Sequence, residues 1–122
     1  MSYQAYKLLH LLGIFVLFGA LGGLAALRMA LDTGKVEGTR VFNVLHGLAL
    51  AIVFIAGFGM LAKLGLGAPG SWGAWVWIKL VIWLLLGAGL AALKRAGHSA
   101  HLVLVLLTLL GAVSAWAALF KP

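Results

Sequence analysis

Apolar residues fill this chain in four long blocks, and the polar positions fall almost entirely between them. Each block has about the 20 residues needed to cross ~30 Å of hydrocarbon as a helix. The pattern predicts helices at about 6–28, 40–63, 75–94 and 98–120. A polar connection from Asp32 to Gly38 holds both acidic residues of the chain, Asp32 and Glu37, and should be its most water-exposed part. Gly65-Leu66-Gly67-Ala68-Pro69-Gly70 cannot continue a helix, because glycine and proline break it, and the third helix starts within Ser71 to Trp77. Lys94 and Arg95 suit a helix C-terminus, and Gly97 suits the residue past it. The expected fold is all-α, an integral membrane up-down-up-down four-helix bundle forming one domain over residues 1–122.

Composition agrees with that pattern. Of 122 residues, 65% are hydrophobic and only 9% charged, with mean hydropathy +1.17, against about one-quarter charged in a soluble domain. A water-soluble globule is excluded. The net charge of +7 lacks basic runs interleaved with base-reading side chains, so no nucleic-acid partner is expected. With no cysteine, disulfides, zinc–thiolate sites, iron–sulfur ligation and thiol nucleophiles are excluded. The first apolar block runs past Leu24 to Arg28 without a small-residue cleavage pattern. It is expected to stay in the mature protein.

Short connections put both termini on one side, side A, with Lys7, Lys63, Lys121 and Lys79. Side B carries Arg28, Lys35, Arg40, Lys94 and Arg95. The slight excess favours side B, with the first and third connections, as cytoplasmic, and also permits the reverse or a dual orientation. Trp72, Trp75 and Trp77 read as an interfacial anchor on side A.

Ionisable groups inside the crossings are costly and therefore informative. His10 and Lys79 lie at similar depth near side A, on helices one and three, and can meet there. From side B, His46 lies about 9 Å in and His101 about 5 Å in, at 1.5 Å per residue. The face through His46 continues as Ala49, Val53, Ala56 or Gly57, and Met60, and the face through His98 and His101 as Val105, Thr108, Ala112 and Ala115. Both are expected to face inward. A haem b needs two neutral imidazoles from different helices and a slot free of side chains. His46 and His101 are the candidate axial ligands, with His98 nearby. Gly22, Gly23, Gly47, Gly87 and Gly89 would leave the slot, and Arg28, Arg40, Lys94 or Arg95 would pair with propionates. The competing reading of each histidine is a hydrogen bond to a neighbouring helix, and of the glycines, close helix packing. Near side A, His10 with Met60 suits copper or a second haem. His10 with Lys79, the pairing favoured here, suits a carboxylate or a moving proton.

Tyr6-Lys7-Leu8-Leu9-His10, Trp77-Ile78-Lys79-Leu80 and the closing Lys121-Pro122 resemble the SirB-like, HemJ-like and CopD-like small bacterial membrane proteins, loosely over the whole chain. In HemJ-like members the resemblance implies haem b binding and porphyrinogen oxidation. It carries over to His10 and Lys79 as catalytic residues. The tryptophan-rich continuation of helix one and the histidine after the lysine of helix three are missing here.

The leading expectation is a haem b-binding redox protein of the cytoplasmic membrane that exchanges electrons with a quinone or oxidises a porphyrinogen. The alternatives are a small ion or copper transporter or channel, in which an anion or copper path would use Asn43, Lys79, His10 and Met60, and a structural subunit of a larger membrane complex. A homodimer fits each of these.

Overall fold

The computed structural model describes residues 1–30 and 38–121. The chain forms α1 (Tyr3–Ala30), α2 (Thr39–Lys63), α3 (Ala74–Ala96) and α4 (Ala100–Phe120), with 3-10 turns at Pro69–Ser71 and Gly97–Ser99. No strand occurs among the described residues. The acidic connection, apart from Gly38, lies outside the described residues.

Helix ends follow local chemistry. α1 starts before its apolar block does, because the Ser2 hydroxyl accepts the Ala5 N–H at 3.1 Å and so caps the first turn. α2 ends where Gly65 turns left-handed (φ +76°). There the Leu66 N–H donates to the Leu61 carbonyl at 2.9 Å and the Gly65 N–H to the Ala62 carbonyl at 3.1 Å, a pair of bonds that satisfies the last carbonyls. Gly97, also at positive φ (+57°), reverses the chain between α3 and α4, so α4 begins at Ala100 rather than at His98.

Neighbouring helices interlock by seating a large side chain on a glycine of the next helix. Tyr6 lies on Gly59, the Val53 side chain on Gly13 and Phe42 on Gly23, which fixes α1 and α2 antiparallel. Leu107 lies on Gly89 and Phe18 on Gly111. α1 packs most extensively on α2, and α3 on α4. α1 also meets α3 and α4, α2 meets α3 sparsely, and the backbones of α2 and α4 do not come close among the described residues. α1 and α3 therefore form the short diagonal of the bundle, and α1 supplies much of the core through Leu17, Ala20, Leu21, Leu24 and Ala25.

Side chains rather than close backbones bridge the α2–α3 seam. Trp83 Nε1 donates to the Leu50 carbonyl at 3.1 Å. The rings of Trp83, Phe54, Phe58, Trp72 and Trp77 follow one another at centroid spacings of 4.8, 4.6, 5.5 and 5.0 Å. Trp72 is held over the connection by donating to the Leu66 carbonyl at 2.8 Å.

The outside of the molecule is as apolar as its inside. Leu8, Phe15, Ile55, Leu84, Leu106 and Leu119 all stand exposed. Three stretches are long and apolar enough to cross a membrane: Tyr3–Ala30, Thr39–Lys63 and Ala74–Phe120. The last runs through both α3 and α4.

One helix is rotated from the expected setting. α4 turns Ala100, Leu107 and Ala117 inward, and His101, Val105, Thr108, Ala112 and Ala115 stand exposed. The polar groups that suggested an inward face are satisfied within the helix itself. The Thr108 hydroxyl donates to the Leu104 carbonyl at 2.8 Å, and His101 Nδ1 donates to the His98 carbonyl at 3.1 Å, so neither group requires a neighbouring helix.

Candidate functional site

The buried face of α1 runs through His10, Gly13, Leu17, Ala20, Leu21 and Leu24, so His10 occupies a core position. The ring reaches α2, where Nδ1 lies 2.9 Å from the Val53 carbonyl oxygen. A carbonyl only accepts, so Nδ1 carries the proton and donates, and Nε2 keeps its lone pair. Gly57 makes the contact possible. A Cβ there would lie 3.3 Å from His10 Cε1 and 3.4 Å from Nδ1, so a larger residue one turn past Val53 would press the ring off its acceptor.

On α3 the buried positions are Val76, Ile82, Leu86, Gly89 and Leu93. Lys79 falls between the first two, three residues from each, which puts it on the core stripe near the start of the helix. α1 and α3 run parallel along the short diagonal, and both start at the same end. Lys79 consequently stands close enough to His10 for its charge to act there. Lys79 is half-buried. Lys121 lies over the Trp75 ring at 5.4 Å from the centroid. Met60 is half-buried on the turn after Gly57. His10 and Lys79 thus lie toward the same end of the bundle, on α1 and α3.

Toward the other end, the stripe expected through His46 is the buried face of α2: His46, Ala49 and Ala56 are all buried. The His46 ring is committed to α3, with Nε2 donating to the Leu86 carbonyl at 3.1 Å. This bond leaves Nδ1, the nitrogen nearer its own backbone, as the free acceptor.

The axial pair expected from His46 and His101 needs correcting. His101 is exposed on α4 and bonds within its own turn, His98 is exposed beside it, and the backbones of α2 and α4 do not come close among the described residues. The two imidazoles are not brought to a common centre within one chain. Among the described residues, no three of His, Cys, Asp and Glu converge on a point that would hold a metal ion, so His10, His46 and His101 do not form one cluster.

The glycine slot needs the same correction. Phe42 fills the space at Gly23 and Leu107 that at Gly89, and Leu50 lies against Gly87. Gly22 and Gly47 have open space at the Cβ position. Gly23 and Gly89 serve close helix packing. Of the expected propionate partners, Arg28 donates from its terminal nitrogen to the Lys94 carbonyl at the end of α3, a favourable place for a cation. Arg40, Lys94 and Arg95 are exposed.

Sequence reasoning passed over the Val53 carbonyl and Gly57 as the seat of His10. The signal was present: Gly57 follows Val53 by four residues, the spacing at which a missing side chain uncovers a helix carbonyl. It also passed over Lys121 as a neighbour of Trp75, a proximity set by the packing of α4 on α3.

Compared with protein-family models, with curated proteins and with solved structures, the chain finds no match.

Proposed function

We propose that this chain is a multi-pass protein of the cytoplasmic membrane and that it works as a haem b-linked redox protein centred on His10, with Lys79 as its cationic partner. Membrane residence is supported by the apolar exterior and by helix length. At 1.5 Å per residue, α3 and α4 are each about 32–35 Å long, enough for one crossing apiece, so the Ala74–Phe120 stretch would count as two crossings and the chain as four. Side B, with Arg28, Arg40, Lys94 and Arg95, would face the cytoplasm.

The observation that carries the redox reading is the bond from His10 Nδ1 to the Val53 carbonyl. Metal-ligating histidines typically donate one ring N–H to a carbonyl or carboxylate, which fixes the tautomer and makes the other nitrogen more basic. His10 has that arrangement, with Nε2 as the available donor atom. A haem b held there would supply one-electron chemistry between its ferric and ferrous states, and the protein would contribute ligation by His10 and a positive charge at Lys79 for a propionate or a substrate carboxylate. The side B slot is not part of this reading, because Phe42 and Leu107 fill it.

The test is the optical spectrum of detergent-solubilised protein expressed with added haem. A Soret band is expected, with its reduced form shifted as for haem b, lost in His10→Ala and retained in His46→Ala and His101→Ala. Protein without a Soret band, or a band unchanged in His10→Ala, would overturn the proposal.

A further inference from the structure

The turn between α3 and α4 gathers cations at side B. Lys94 and Arg95 close the last turn of α3 and stand exposed. Gly97, at positive φ, then reverses the chain through the 3-10 turn Gly97–Ser99, and α1 packs against that turn. Arg28, in the last turn of α1, is tied to the same place by its bond to the Lys94 carbonyl. On the other flank, α2 and α3 run antiparallel and meet where His46 donates to the Leu86 carbonyl. Arg40 lies six residues before His46 and Lys94 eight after Leu86, so at 1.5 Å per residue both stand about 9–12 Å beyond that contact, toward side B. Counted over the sequence, five cations belong to this end, Arg28, Lys35, Arg40, Lys94 and Arg95, against two acids, Asp32 and Glu37. The excess is positive with both acids set against it.

What lies next to these cations decides which anion fits. Leu102, Val105, Leu106 and Leu109 follow the turn along α4 and are between 55% and 62% exposed. Before it on α3, Leu84 and Leu85 are exposed, as are Ala91 and Ala92. An anion held at the turn therefore meets positive charge at its head and apolar helix surface running away from it. A phospholipid has that layout, since its phosphate sits level with helix ends and its acyl chains lie along the crossings. A free phosphate would use only the head of the arrangement. We propose that the α3–α4 turn holds an anionic phospholipid, with Lys94 and Arg95 on its phosphate and its acyl chains along the exposed faces of α3 and α4. This rests on the membrane placement proposed above and needs no haem.

The test is a competition between two lipids that differ only in head-group charge. Purified protein in detergent is mixed with equal amounts of phosphatidylglycerol and phosphatidylcholine of identical acyl chains, and native mass spectrometry reads which lipid stays bound. Each Lys or Arg near an anionic head group contributes about fivefold, so Lys94 and Arg95 together predict a preference for phosphatidylglycerol of roughly tenfold or more. The double variant Lys94→Gln with Arg95→Gln should bring that preference to within about twofold of parity. Lys94→Arg with Arg95→Lys preserves the charge and should keep it, which guards against misreading a folding defect as lost binding. Lys7→Gln with Lys63→Gln removes as much charge at side A and should also keep it. Equal binding of the two lipids by the unmodified protein would overturn the proposal and leave the membrane placement intact. A side A variant that loses as much preference as the side B variant would overturn it too, because net charge rather than the turn would then select the lipid. Complete displacement of phosphatidylglycerol by millimolar inorganic phosphate would make the turn a site for the free ion and reject the lipid. None of these readings uses a Soret band, so the haem proposal stands or falls separately.

Discussion

At the scale of single residues, the protein shows how a polar side chain is tolerated in an apolar bundle when one acceptor is waiting for it. His10 has the Val53 carbonyl, His46 the Leu86 carbonyl and Trp83 the Leu50 carbonyl, so each donates across a helix boundary to a backbone oxygen that already serves its own helix. Thr108 and His101 solve the same problem inside their own turn. The difference matters for mutation. Gly57→Ala should displace the His10 ring by a few tenths of an ångström and weaken its bond to Val53, at a cost of about 1 kcal/mol, read as a lower midpoint in denaturant titration of the detergent-solubilised protein. If His10 ligates haem as proposed, the same change should also shift the Soret maximum, because it moves the ligating ring. The depth of His10 in its helix was legible from the sequence, whereas its acceptor was not, because no local rule says which carbonyl of a partner helix a ring will meet.

Elements divide into those whose orientation the chain states for itself and those fixed by their neighbours. The inward stripe of α2 could be read from small residues at helical spacing through His46, and the structure buries His46, Ala49 and Ala56. The same reasoning applied to α4 chose the wrong face. Its apolar residues encircle the helix, so no contrast between faces guides the choice, and the polar residues used in place of that contrast satisfy themselves locally. What sets α4 is Leu107 seated on Gly89 and Phe18 seated on Gly111. Leu107→Ala should therefore destabilise the bundle by about 2–4 kcal/mol, while Thr108→Val on the adjacent outward position should stay within about 0.5 kcal/mol. Measuring both by denaturant titration separates the two settings of the helix, since an inward Thr108 would reverse the ranking.

For the whole molecule, the arrangement of helices decides which chemistry can be assembled. α1 and α3 share the short diagonal and start at the same end, so His10 and Lys79 fall toward one end of the bundle. α2 and α4 occupy the far corners, so His46 and His101 are kept apart despite their similar depth. The absence of native cysteine makes the topology easy to test with single cysteines and a membrane-impermeant maleimide in sealed vesicles. Arg40→Cys and Arg95→Cys should label from one side, and Lys63→Cys and Ser71→Cys from the other; labelling of all four from one side would contradict four crossings. The chain by itself determined the helical class, the lengths of the apolar blocks, the breaks at Gly65 to Gly70 and near Gly97, and the depth of each ionisable residue. Those properties depend on local propensity and on rise per residue. Only the tertiary structure decided which way α4 turns, which side chains fill Gly23 and Gly89, and which nitrogen His10 and His46 each keep free. Where interior and exterior are equally apolar, the hydrophobic pattern no longer tells one face from the other, and the choice passes to how large side chains fit against glycines on a neighbouring helix.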